Sequence, residues 1–200
     1  MRTLICFFLL FLLSGGAIAE HPTDLSVTGQ PRFEIPFSPN GQLRLHIRSG
    51  DLKIIGSDDD KLTVDYQGER AEEIADVTVR FKASGNAGEL NVSGGPHNNF
   101  TIQVHVPKNT SLYLRMPAGE VNLSGVRGDK DLSIYAGDLN ISVGDPKDYR
   151  EVDCSVSAGD LNAGPFGVTK DGLFRSFHQT GNGPYRLRVH TAAGDINLVQ

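Results

Sequence analysis

The sequence predicts an all-β, single-domain β-solenoid, with a β-sandwich as the alternative. A five-residue phrase occurs six times in the 200 residues and reads glycine, acid, aliphatic, Asn or Lys, aliphatic. Its glycines are Gly50, Gly88, Gly119, Gly137, Gly159 and Gly194. Successive glycines are 38, 31, 18, 22 and 35 residues apart, which are close to one or two units of roughly 20. A repeat of this length is typical of coils that stack along one axis.

Apolar residues alternate with polar ones on both sides of these glycines. Leu132 and Ile134 precede Gly137, and Leu139 and Ile141 follow it. Period-two alternation predicts a strand, a Gly-acid corner and a second strand in each unit. Roughly eight such coils fit into residues 43–200 at ~20 residues each. The stretch before Gly88 fits worst, because Ala83 and Gly85 occupy its apolar positions.

The repeated phrase has a structural explanation for each of its residues. Glycine tolerates the positive φ of a tight corner, and the neighbouring acid can accept hydrogen bonds from nearby backbone N–H groups. We therefore expect Asp51, Asp138, Asp160 and Asp195 to be structural, and not metal ligands. The Asn residues alternate outward, so Asn122, Asn140 and Asn162 should form a hydrogen-bonded ladder.

Residues 1–19 have the features of a signal peptide. Arg2 precedes an apolar run from Leu4 to Leu13, and Ala17 to Ala19 forms a small-residue cleavage site. The run is shorter than the ~20 residues that a membrane span needs. The mature chain is therefore expected to start at Glu20, to be exported to the periplasm or outer cell surface, and to have no transmembrane segment.

Three further segments stand apart from the repeats. Residues 20–42 are predicted to be an extended N-terminal leader or cap, in which Phe33, Ile35 and Phe37 either cover the first coil or lie in a flexible linker. Residues 68–76 (GERAEEIAD) are predicted to be a loop that leaves the coil. Residues 164–186 are rich in aromatic residues and either cap the fold or bind a partner.

The chain offers little catalytic chemistry. Cys154 aligns with core leucines and is predicted to be buried. His46, His105 and His190 each lie between inward-facing residues, so they should point to the solvent. We predict no catalytic residue, no bound cofactor and no metal site. The net charge of −5 disfavours nucleic acid as a partner.

The phrases SAGDLN at 157–162 and AAGDIN at 192–197, with the stretch GLFRSF at 172–177, resemble bacterial exported "putative adhesin" families of unknown function. Members of these families are right-handed β-solenoids. The resemblance covers about residues 43–200 and implies a non-enzymatic, adhesin-like scaffold or binding surface in the cell envelope. The alternative is a carbohydrate-binding or polysaccharide-active β-helix protein. The partner would be an envelope protein or glycan, and the chain a monomer or weak oligomer.

Overall fold

The computed structural model describes residues 23–67, 74–96 and 100–200. These residues form two sheets of nine strands each. Sheet A contains β1 (Thr23–Thr28), β3 (Gln42–Ile47), β6 (Thr78–Ser84), β7 (Ala87–Ser93), β9 (Ser111–Ala118), β11 (Lys130–Ala136), β13 (Tyr149–Ala158), β16 (Leu173–Thr180) and β17 (Tyr185–Ala193). Sheet B contains β2 (Arg32–Pro36), β4 (Asp51–Ser57), β5 (Lys61–Gln67), β8 (Thr101–Pro107), β10 (Val121–Ser124), β12 (Leu139–Ser142), β14 (Leu161–Ala163), β15 (Val168–Lys170) and β18 (Ile196–Val199). Short 3₁₀ turns lie at Pro146–Asp148 and Gly164–Phe166.

The predicted β-solenoid is confirmed, but the described residues form six parallel coils instead of roughly eight, because antiparallel strands take up part of the chain. Six coils, each with one strand in either sheet, stack in parallel in the order β7/β8, β3/β4, β9/β10, β11/β12, β17/β18 and β13/β14. Antiparallel strands complete both sheets at their ends. Strands β6 and β1 extend sheet A beyond β7, and β5 and β2 extend sheet B beyond β8. At the other end, β16 pairs with β13, and β15 pairs with β14.

The coils do not stack in chain order. The last coil of the chain, β17/β18, lies between β11/β12 and β13/β14, because Val189 pairs with Leu132 on one side and with Cys154 on the other. The three coils within residues 112–163 are therefore not consecutive in the stack, and the last coil of the chain does not end it. At this end of the stack, β13/β14 is the outermost parallel coil.

The core lies between the two sheets and follows the predicted alternation. In sheet A, one inward row runs across seven strands and contains Phe81, Leu90, Leu45, Leu114, Leu132, Val189 and Cys154. Every member of this row is at most 2% exposed. A stack of this length buries a continuous apolar core, and burial stabilises the fold by about 25 cal/mol per Å². The predicted burial of Cys154 is confirmed.

The corner glycines form a column along the stack. Gly137 has φ 123° and Gly194 has φ 125°, a region that residues with a Cβ rarely adopt. A Cβ at Gly194 would also overlap the carbonyl oxygen of Gly137, and one at Gly137 would overlap that of Gly119. These corners need glycine both for their backbone conformation and for the close approach of the neighbouring coil.

The copy of the phrase at Gly88 is not a corner, which corrects the sequence interpretation. Gly88 lies inside β7 in sheet A and pairs with Leu43, whereas the aliphatic residues of the other copies lie in sheet B. A Cβ on Gly88 would come within 2.8 Å of the Phe37 ring and 2.9 Å of the Phe81 ring. Glycine is present here because two aromatic rings pack against the strand.

The segments outside the repeats extend the sheets. Phe33, Ile35 and Phe37 are buried, and β2 pairs with β5, so the sheets begin well before residue 43. Within the aromatic segment, β15 and β16 cover the coil β13/β14, and Phe177 is buried opposite Cys154. The proposed signal peptide at 1–19 lies outside the described residues, as does most of the predicted loop at 68–76.

Candidate functional site

The column of corner acids is part of the backbone hydrogen-bond network. The Asp138 carboxylate accepts from the backbone N–H of Asp195 at 2.8 Å, and the Asp195 carboxylate accepts from that of Asp160 at 2.8 Å. The Asp160 carboxylate accepts from the N–H of Gly172 at 3.2 Å. Each acid thus ties its coil to the next, which supports the structural role expected from the repeat.

The Asn ladder exists, but with a different order. The Asn140 side-chain amide donates to Asn122 at 3.2 Å, and that of Asn197 donates to Asn140 at 3.1 Å. Asn162 pairs in register with Asn197, so Asn197 separates it from Asn140. The inserted coil β17/β18 explains the difference.

A triad on the outer face of sheet A has ligand types that bind metals. Oxygens of Glu151 and Asp153 and a ring nitrogen of His178 lie within 4.8 Å of one another. The sequence analysis missed it, because only the antiparallel pairing of β16 with β13 brings His178 opposite Asp153. Glu151, however, is already contacted by Arg188 at 3.2 Å and Arg186 at 3.8 Å. One of the three members, Glu151, is therefore already part of an ion-pair network.

One outward row of sheet A is a charge ladder, which we define as Lys82, Glu89, Arg44, Tyr113, Asp131, Arg188, Asp153 and His178. Its charges largely compensate one another across neighbouring strands. Tyr113 lies between two arginines, with the Arg115 guanidinium 3.7 Å and that of Arg44 5.0 Å from its ring centre. Asp131 contacts Arg115 at 2.7 Å. Such a row fixes the register of the face and leaves little net charge for a ligand.

The adjacent outward row contains no Asp or Glu in the part of sheet A from β6 to β16. Its members are Arg80, Asn91, His46, Arg115, Ser133, His190, Ser155 and Ser176. Four of these are Arg or His, and each lies on a strand next to, or one strand away from, that of another member of the four. The row therefore carries only basic and neutral side chains, although the chain as a whole has 24 acidic and 19 basic residues.

An open groove of about 580 Å³ lies along this row. We call it the basic groove; it is lined by His46, Ile47, Arg48, Val92, Arg115, Met116, Pro117, Ser133, Ile134, Tyr135, His190 and Ala192. None of these residues is acidic. Two are arginines and two are histidines, while the apolar members form the floor. The Tyr135 ring, 73% exposed, stands at its rim.

Two of the three histidines singled out in the sequence line this groove. His190 shares a hydrogen bond of 2.9 Å with Ser155, and an imidazole nitrogen of His46 lies 3.9 Å from a Glu89 oxygen. His105 lies on sheet B, where it shares a hydrogen bond of 2.7 Å with Gln103. The alternation predicted that all three point outward, but the stacking order decides which of them share a face.

One buried cation lies beneath the same sheet. Lys130 is 2% exposed, and its ammonium group donates to the Gly128 carbonyl and the Tyr149 hydroxyl, both at 3.2 Å. Burial lowers the pKa of Lys130 to about 8, although the nearby Asp129 and Asp148 charges oppose this shift. Its inward position makes it part of the core and separates it from the basic groove.

Comparisons with known proteins bear on the fold and family. Among the described residues, no helix is long and apolar enough to cross a membrane. No curated protein matches the chain in sequence.

The solved structures that are similar to the chain include the following two. One is a "putative cell adhesion protein" from Clostridium sporogenes, with 16% identity, a TM-score of 0.49, and coverage of 84% of this chain and 97% of that chain. The other is a "putative adhesin" from Bacteroides fragilis, with 9% identity, a TM-score of 0.36, and coverage of 88% and 97%. A family model described as Toastrack DUF4097 matches residues 41–198. The chain, with its two long sheets and stacked glycine corners, belongs to the Toastrack DUF4097 family.

Proposed function

We propose that this protein is a non-enzymatic, exported scaffold of the bacterial envelope that binds a partner through the outer face of sheet A. The basic groove is the observation that carries the proposal. It combines an apolar floor, an exposed tyrosine and four basic side chains, with no acidic residue in its lining. Binding sites commonly unite apolar surface with a few polar groups that fix the orientation of the ligand.

The environment of the carboxylates supports a binding role over hydrolysis. A glycosidase needs two carboxylates placed on either side of the scissile bond. Here the corner acids Asp138, Asp195 and Asp160 accept backbone N–H groups, and Glu151 contacts two arginines. These acids hold coils and strands in register, so we assign them a structural role.

The exported location follows from the proposed signal peptide at residues 1–19. A stack of coils suits a surface role, because the parallel rows present side chains at a regular spacing of about 4.8 Å along a rigid sheet. Such a surface can hold an extended partner at several points at once.

Co-sedimentation tests the proposal. Purified residues 20–200 are mixed with isolated bacterial envelopes, and the bound fraction is compared between the wild type and the Arg48→Glu, Tyr135→Ser double variant. We expect the double variant to lose most of its binding. Lys82→Glu and Phe174→Ser serve as matched controls, since they change a charge and an exposed aromatic ring of the same face outside the groove. Equal sedimentation of all forms would contradict the proposal.

A further inference from the structure

We propose that the basic groove binds an acidic polysaccharide, with Tyr135 contacting a sugar ring and Arg48, His46 and His190 contacting its anionic groups. This inference rests on the proposed function, because it names the ligand class of the same face. Three features of the groove favour this ligand class: its charge, its shape and its exposed aromatic ring.

The charge pattern selects an anion. The chain as a whole is acidic, with a net charge of −5, yet the groove and the outward row along it contain no carboxylate. Arg115, although it lines the groove, already contacts Asp131 of the neighbouring charge ladder at 2.7 Å, so the anionic groups are assigned to Arg48, His46 and His190. A basic strip on an acidic protein attracts an anionic ligand locally, and the surrounding negative charge repels it elsewhere. Carboxylate, sulfate or phosphate groups would form charge-assisted hydrogen bonds with these side chains.

The shape favours a polymer. The carboxylate-free row crosses eight strands from Arg80 on β6 to Ser176 on β16. The groove itself reaches five of these strands, from Val92 on β7 to His190 on β17. Five strands separated by about 4.8 Å span about 19 Å, which is the length of several sugar residues in an extended chain. The strip is therefore much longer than one monosaccharide needs.

The tyrosine favours a ligand with rings. Tyr135 is 73% exposed, and the groove positions around it hold the small residues Pro117, Ser133 and Ala192. Both the ring face and the space beside it are accessible. A tyrosine ring offers a rigid, amphipathic contact surface at low conformational-entropy cost, which suits the apolar face of a sugar.

The experiment uses residues 20–200 and a chemically matched pair of probes. Polygalacturonate oligomers and the same oligomers with fully methyl-esterified carboxyl groups are titrated by calorimetry at low salt, with heparin as a sulfated probe. We expect the wild type to bind at least one acidic probe and to bind the neutral ester at least about tenfold more weakly. Arg48→Glu and Tyr135→Ser should each reduce acidic-probe binding at least about tenfold, and Lys82→Glu and Phe174→Ser should leave it within about twofold.

Other results would overturn the inference in distinguishable ways. Equal binding of acid and ester, still lost in Tyr135→Ser, would refute the anionic class but keep the proposed binding face. Equal weakening by Lys82→Glu and Arg48→Glu would reveal diffuse electrostatic attraction without a site. Binding to no acidic probe would refute the ligand class, and envelope sedimentation would then decide whether the proposed function survives. Circular dichroism melting of every variant separates a lost site from a lost fold.

Discussion

Lys130→Met tests the energetics of the core through the pH dependence of stability. Lys130 is aligned with Leu112 on one side and Leu187 on the other, so its position belongs to an apolar row. Met has a similar length and no charge, and it should fit there. The Tyr149 hydroxyl keeps its own hydrogen bond to the Val143 carbonyl at 3.0 Å after the substitution. The Gly128 carbonyl loses the lysine as a donor.

The magnitude follows from the change in pKa. Burial lowers the pKa of Lys130 from 10.5 to about 8, so the unfolded chain holds this proton more tightly than the folded chain. Between these two pKa values, the unfolded state binds more protons, and the free energy of unfolding must rise with pH. At about 1.36 kcal/mol per pKa unit, the charged lysine costs about 3 kcal/mol below pH 8. From pH 7 to pH 9 the wild type should therefore regain about 1 kcal/mol relative to Lys130→Met.

Urea unfolding of both proteins at pH 7, 8 and 9 measures this difference. Groups such as Cys154 titrate in both proteins, so their contributions cancel in the comparison. We expect Lys130→Met to be the more stable protein at pH 7, with an advantage that shrinks as the pH rises. An advantage that stays constant, or that grows with pH, would refute the assignment of Lys130 as a buried group that is destabilised by its charge.

Three further predictions concern the stability and packing of the solenoid. Gly137→Ala should destabilise the fold by about 2 kcal/mol or more in urea unfolding, because its φ and the Gly119 carbonyl both exclude a Cβ. Gly144→Ala is the control, since a Cβ there meets nothing within 4 Å and only the φ of 69° is strained; it should cost about 1 kcal/mol. Burial raises the pKa of Cys154 to about 12, so a thiol reagent should give almost no signal until denaturant is added. Rapid labelling of the native protein would contradict the burial of this side chain. Phe177→Ala should lower the free energy of unfolding by about 3 kcal/mol or more, because Phe177 is buried. Phe174→Ser should lower it by about 0.5 kcal/mol or less, because the Phe174 side chain is 82% exposed. If thermal melting shows similar losses for the two variants, β16 does not cap the stack through Phe177.

The local structure of the coils was predictable from the sequence. Alternation around Gly137 and Gly194 correctly gave two strands and a corner, because inward aliphatic residues and a glycine at positive φ are requirements of each single coil. The exception at Gly88 had a visible signal, since Ala83 and Gly85 interrupt the expected apolar positions before it. The same five-residue phrase can therefore form a corner or lie within a strand, and the flanking residues decide which of the two it does.

The order of the coils was not predictable, and the site depends on it. The coils have aliphatic rows of similar size and are nearly interchangeable. The repeat therefore does not indicate that β17/β18 lies between β11/β12 and β13/β14. This insertion places His190 next to Ser133 and thereby completes the row that contains His46. Long-range strand pairing, which depends on tertiary packing, thus builds the basic groove from residues up to 146 positions apart, from His46 to Ala192.

Imidazole NMR signals test the central claim, that the outer face of sheet A binds the partner, most directly. His46 and His190 line the basic groove, whereas His105 lies on sheet B, so one unmodified protein contains both the reporters and their control. Soluble glycan fragments released from bacterial envelopes are titrated into residues 20–200. The account predicts that the ring signals of His46 and His190 shift together as the fragments bind, while that of His105 stays in place. Saturable binding that shifts His105 and leaves His46 and His190 unchanged would contradict it.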